Sequence, residues 1–161
     1  MYYPIFEAMQ EVDMVLNLHG EVPSDPTTNT HVLNAESRFL PHLHKLHSAF
    51  PRLRIVLEHA TTRAAVEAVK SCGPTVACTI TAHHLALTVD DWAGQSWHYA
   101  KPVPKYPDDR EALREVVKEG TDFGFLVFRL KQVDLLVFPG DIIQVIPDSF
   151  WAPIRLRILP T

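Results

Sequence analysis

Apolar positions recur along this chain with periods that change from segment to segment. Residues 4–12 carry them at helical spacing behind Pro4, a residue suited to a first turn, and predict a helix. Residues 14–18 form a short, mostly apolar run ending at His19-Gly20, which predicts a buried strand that opens into a turn-rich loop over 23–30. From 34 to 50, Phe39, Leu40, Leu43, Leu46 and Phe50 return at three- and four-residue steps, the pattern of an amphipathic helix closed by Pro51. Residues 54–59 predict a second strand with a histidine at its C-terminal end. Residues 62–71 predict a helix with Ala65, Val66 and Val69 on one face, and Gly73-Pro74 stops it before a strand over 75–81.

Strand, helix, strand, helix, strand implies right-handed βαβ units in a parallel sheet, an α/β architecture. Residues 85–107, rich in Trp, Pro and polar groups, predict a long loop of the kind that is usually functional. Residues 108–118 predict a helix with an acidic first turn. After Gly120 the character changes to β-prone blocks at 123–130, 133–138, 141–146 and 154–159, divided by Pro139-Gly140 and Pro147. The expected division is therefore 1–120 as one α/β piece and 121–161 as a divergent β-prone tail.

Of the 161 residues, 47% are hydrophobic and 21% charged, enough apolar content to bury a core and too much for a disordered chain. A net charge of -4 and a pI near 6.1 leave no basic footprint, which argues against nucleic acid or an anionic membrane as partner and for a small molecule. Cys72 and Cys78 form no CxxC pair, so a reducing cytoplasmic setting is expected, with neither a disulfide framework nor a thiolate zinc site. No apolar run is long enough to span a bilayer, and the first residues lack a basic region followed by an apolar one, so no membrane or targeting segment is expected.

The nine histidines invite the question of which could bind metal. His19 and His59 each end a predicted strand, and in a barrel of parallel strands that end is where metal-binding side chains converge. Two neutral imidazoles from adjacent strands supply half of a four-coordinate zinc site. Pattern alone leaves a second reading open, in which each is a polar residue ending a strand and hydrogen-bonded to a loop. His42-Leu43-His44 matches His-x-His by letter, but helical residues two apart point about 200° around the axis and cannot share a metal. His42, His44 and His47 are expected on a solvated helix surface. His83 and His84 end a strand, where alternation lets at most one face a site, and their role stays open.

Four strings carry more information than the periodicity: Leu18-His19-Gly20-Glu21, Ile55-Val56-Leu57-Glu58-His59-Ala60-Thr61-Thr62, Thr79-Ile80-Thr81-Ala82-His83-His84-Leu85 and Lys101-Pro102-Val103-Pro104-Lys105. In order and spacing they resemble the single-function dihydroorotases of bacteria and fungi, over about residues 2–120, and Asp90-Asp91-Trp92-Ala93-Gly94-Gln95-Ser96 looks like the fungal version. The resemblance implies a partial (β/α)8 barrel of the amidohydrolase superfamily, interconverting dihydroorotate and N-carbamoyl-aspartate in pyrimidine synthesis. It implies a binuclear zinc centre in which His19 and His59 bind the second, more exposed zinc, a cytoplasmic location, and a homodimer for the full-length family. A hydroxide bridging two zinc ions is a nucleophile near neutral pH, and a metal polarises the ring carbonyl.

The same resemblance implies what this chain does not carry. The family's first-strand His-x-His pair, its substrate-carboxylate arginine and asparagine, and its carboxylated lysine would lie before Met1. The catalytic aspartate's Gly-Thr/Ser-Asp-Ser-Ala-Pro-His string is not found after residue 118, and Asp122 and Asp134 lack its neighbours. The expectation is a fragment with no assigned catalytic residue, inactive by itself and prone to aggregate through uncovered strand edges. The alternative is a non-catalytic amidohydrolase-like protein that binds a metal or a partner.

Overall fold

A computed structural model describes residues 2–119 and, beyond them, the backbone of two short strands at 125–126 and 142–144. Helix α1 (Tyr3–Glu11) precedes strand β1 (Val15–His19); α2 (Ala35–Ala49) leads to β2 (Arg54–Glu58), and α3 (Arg63–Cys72) to β3 (Val76–Thr81). Short helix α4 (Val89–Trp92) and helix α5 (Pro107–Glu119) follow, then β4 (Phe125–Leu126) and β5 (Ile142–Gln144). The sheet order is β1-β2-β3-β4, with β1, β2, β3 and β4 parallel, and β5 pairing antiparallel with β3. The expected α/β architecture with parallel strands joined by helices is present. The other β-prone stretches of the tail, with Asp122 and Asp134, lie outside the described residues.

Alternation along the strands sorts the side chains into two layers. Leu16, Leu18, Ile55, Leu57, Val76, Cys78 and Ile80 join one hydrophobic cluster with Leu43 of α2, Val66 and Val69 of α3, and Leu113 and Val116 of α5. Val15, Val56 and Ala77 form a small second cluster on the opposite face. β2 and β3 are covered on both faces, which is why they read as continuous apolar runs. β1 departs from the expectation of a buried strand: it is half-buried, and Asn17 and His19 are exposed. Among the described residues it pairs only with β2, so one edge and part of one face have no cover.

Each turn that delivers a strand end has a local cause. The carboxamide of Gln10 accepts from Arg52 N at 2.9 Å, and the Arg54 guanidinium meets the Asp13 carboxylate at 2.7 Å, tying the start of β1 to the start of β2. Thr62 caps α3 by accepting from Ala65 N at 3.1 Å. Gly20 follows His19 where a Cβ would come within 2.6 Å of Leu57 Cδ1, so the close passage of the chain over β2 requires a residue without a side chain.

The stretch 85–107 is not the structureless loop that its composition predicts. It holds 3-10 turns at Ala82–Leu85 and Ser96–His98 around α4, and Thr88 and Asp91 close a capping box on α4. Trp92 Nε1 donates to Pro104 O at 2.7 Å and Val89 N to Lys105 O at 2.7 Å. The reason the sequence misleads is that these bonds join positions a dozen or more residues apart, which no local pattern encodes. No helix among the described residues is long and apolar enough to cross a membrane.

Candidate functional site

The register His19↔Glu58 places the ends of β1 and β2 side by side, and His59 is one residue beyond. His59 adopts φ 44°, a left-handed conformation that costs a non-glycine residue of the order of 1 kcal/mol. Two bonds hold it there: His59 N donates to Thr79 Oγ1, and Ala60 N donates to Thr79 O at 2.7 Å. The turn brings the two imidazoles together, with ring centroids 4.8 Å apart and His19 Nδ1 3.1 Å from His59 Nε2.

That separation suits a hydrogen bond between neutral rings. It is also close to the spacing of about 3.3 Å between two nitrogens held by one tetrahedral zinc at 2.0–2.1 Å. Burial, and after it the charge of His19, lowers the pKa of His59 to about 4, so the ring is neutral and retains a lone pair at neutral pH. The pair fits half of a zinc site and no more. Among the described residues, no group of three or more His, Cys, Asp or Glu side chains is arranged to hold a metal ion.

Around the pair lies a set of buried charges that the sequence did not single out. Glu21 Oε2 lies 3.5 Å from His19 Nε2, and Glu21 Oε1 lies 3.2 Å from the ammonium of Lys105. The Lys105 side chain is fully buried and also donates to Val103 O at 3.0 Å. Glu36, in the first turn of α2, is 2% exposed and accepts from Thr61 N at 2.8 Å and from Thr62 Oγ1. Burial raises its carboxyl above the ordinary range, although those two donors and Lys105 oppose the shift. Glu21 and Lys105 stand in strings quoted above, but their pairing spans 84 residues and leaves no local trace. The one available signal for Glu36 was a carboxylate on the apolar side of an otherwise amphipathic helix.

His83 and His84 are placed differently from the expectation of two strand residues facing opposite ways. They lie in the 3-10 turn after β3, where adjacent side chains splay less, and their ring centroids are 4.0 Å apart. His84 is buried and donates from Nε2 to Pro102 O at 2.8 Å, and burial, followed by His83, lowers its pKa to about 3. His42 and His44 are exposed as expected, while His47 is half-buried. His44 Nδ1 lies 3.6 Å from Cys72 Sγ, a contact between α2 and α3 well away from the strand ends. A cleft lined by His19, Glu21, Ser24, Val32, Ala35 and Lys101 opens beside the histidine pair.

The chain is 66% identical over 125 residues to dihydroorotase from Mycosarcoma maydis, an overlap of 78% of this chain and 32% of that protein. It is 48% identical over 135 residues to dihydroorotase from Saccharomyces cerevisiae, covering 77% and 37%. Among solved structures, a crystal structure of the Saccharomyces cerevisiae dihydroorotase in complex with 5-fluoroorotic acid matches with a TM-score of 0.70 at 47% identity, over 77% of this chain and 37% of that one. A dihydroorotase from Campylobacter jejuni matches with a TM-score of 0.64 at 39% identity, over 70% and 32%. A D-hydantoinase from Thermus, at 11% identity and a TM-score of 0.61, shares the fold alone. The chain spans about a third of the length of the relatives it matches. No family model matches it.

Proposed function

We infer that this chain, whose sequence belongs with the dihydroorotases over about a third of their length, is the piece of such an enzyme that carries two ligands of one zinc. The observation that carries this reading is the meeting of His19 Nδ1 and His59 Nε2, 3.1 Å apart, at the C-terminal ends of adjacent parallel strands. Residues 1–120 then form part of a (β/α)8 barrel, whose interior layer begins with Val15, Val56 and Ala77 and whose outer layer packs on α2, α3 and α5. The tail from 121 is a divergent addition.

The reaction is the interconversion of dihydroorotate and N-carbamoyl-aspartate, in the cytoplasm, with small molecules as partners and a homodimer for the complete protein. The presence of 5-fluoroorotic acid in the Saccharomyces cerevisiae structure supports an anionic six-membered ring as the ligand class. When bound, zinc supplies Lewis-acid polarisation of the ring carbonyl and a metal-lowered pKa for the attacking water. This chain's own contribution is to present two imidazoles from adjacent parallel strands, with the ring of His59 kept unprotonated by its burial. The remaining ligands and the proton-transferring aspartate belong to the two thirds of the dihydroorotases that the match does not span, so no residue here is assigned a catalytic role.

A chimaera tests the reading: residues 2–119 of this chain replace the matched third of the Mycosarcoma maydis enzyme. Hydrolysis of dihydroorotate is expected in the chimaera and not in the chain alone. His19→Ala or His59→Ala in the chimaera should lower kcat/KM by roughly 100-fold or more, as loss of a metal ligand does. Unimpaired turnover by the His59→Ala chimaera contradicts the assignment.

A further inference from the structure

The buried charges beneath the histidine pair have no part in the ligand set itself, and one of them is unusual. Lys105 places its ammonium where no solvent reaches it, a position that is tolerated only when the charge is paired and its protons are hydrogen-bonded. Its partners are Glu21 Oε1 at 3.2 Å and Val103 O at 3.0 Å. The segment that carries it is fastened at three carbonyls. Pro102 O accepts from His84 Nε2 at 2.8 Å, Pro104 O from Trp92 Nε1 at 2.7 Å, and Lys105 O from Val89 N at 2.7 Å.

The second oxygen of Glu21 faces His19 Nε2 at 3.5 Å. A carboxylate beside one nitrogen of an imidazole favours the proton on that nitrogen and leaves the lone pair on the other. In His19 the other nitrogen is Nδ1, the atom that lies 3.1 Å from His59 Nε2. Glu21 is itself almost buried, with its side chain 7% exposed, and the Lys105 ammonium is the cation that pairs with its other oxygen and fixes where the carboxylate sits. The two contacts join Lys105 to His19 through Glu21.

We propose that Lys105 is a positioning residue for the metal pair: it holds the Glu21 carboxylate against His19 Nε2 and so keeps the Nδ1 lone pair aimed at the ion. The inference rests on the reading that His19 and His59 hold a metal, and it extends that reading to residues outside the ligand set. Lys105 also lends charge toward Glu36, the carboxylate that accepts from Thr61 and Thr62 beside His59.

The test is a cobalt(II) titration of the full chain, followed by visible absorption, for the parent, Glu21→Gln, Lys105→Met and the double variant. Each single substitution is expected to weaken cobalt binding roughly 10- to 100-fold. The double variant is expected to bind about as weakly as Glu21→Gln alone, because both act along one path. Single variants within about twofold of the parent, or losses that multiply in the double variant, overturn the proposal. A purely structural lysine would lower the melting temperature and leave cobalt affinity unchanged, which also overturns it. Should Lys105→Met not fold, Glu21→Gln decides alone, since it removes the charge at almost constant volume, and parent-like affinity refutes the path. A parent that takes up no cobalt overturns the metal pair as well, a result distinct from equal binding by parent and variants.

Discussion

His59 leaves β2 with a left-handed φ and its ring turned inward, and burial there has a measurable consequence for acid stability. Its pKa is lowered to about 4 and that of His84 to about 3, whereas both rings return to about 6.5 in the unfolded chain. Between those values the unfolded state binds more protons. The stability these two residues contribute is complete above about pH 6.5 and is lost as pH falls toward 4 and below. Glu36, with its carboxyl raised, works in the opposite sense and blunts the slope. Urea unfolding of the metal-free chain between pH 7 and 4.5 is expected to show stability falling with pH. His84→Gln, which keeps a donor for Pro102 O, should take up about one proton fewer on unfolding near pH 5. An unchanged slope in that variant contradicts the assignment of His84 as a buried neutral ring. At this scale the sequence singled out His19 and His59, because each ends an apolar run and the strings around them are distinctive, and the structure brings the two rings together. It did not disclose the partnership of Glu21 with Lys105, since a contact across 84 residues has no period to detect.

Among the elements, α3 shows how one side chain can serve a helix and a site together. Thr62 accepts from Ala65 N, capping the helix, and donates to the buried carboxylate of Glu36 in α2. Thr62→Ala removes a cap, a loss of about 1 kcal/mol, and leaves Glu36 short of a donor, a further 1–3 kcal/mol. A destabilisation of about 2–4 kcal/mol is expected from denaturant midpoints, and a change below about 0.5 kcal/mol would show that Glu36 finds another partner. Helices α1, α2, α3 and α5 and strands β1, β2 and β3 were legible from spacing and from proline and glycine positions. The stretch 85–107 was not, because its order comes from Trp92, His84 and Val89 reaching the carbonyls of Pro104, Pro102 and Lys105, while its composition is that of a loop. β1 reads as buried from its apolar content, yet it is half-buried because, among the described residues, nothing pairs with its outer edge.

Across the described residues, the parallel sheet sets α1, α2, α3 and α5 against one face and a small layer of Val15, Val56 and Ala77 on the other. The histidine pair stands at the end of that second layer, where the strand ends meet. Parallel strands were legible from the alternation of strand and helix, whereas the antiparallel pairing of β5 with β3 was not, since nothing local marks which strand a distant β-prone block will join. In the proposed function His19 and His59 together hold one zinc. Zinc titration of the metal-free chain against a competing chromophoric chelator tests it directly. Weak binding by the parent is expected, because two imidazoles are half of a ligand set, with His19→Ala and His59→Ala each weakening it further, roughly 10-fold or more, while the fold persists by circular dichroism. Equal zinc uptake by the parent and a folded double-alanine variant would contradict it.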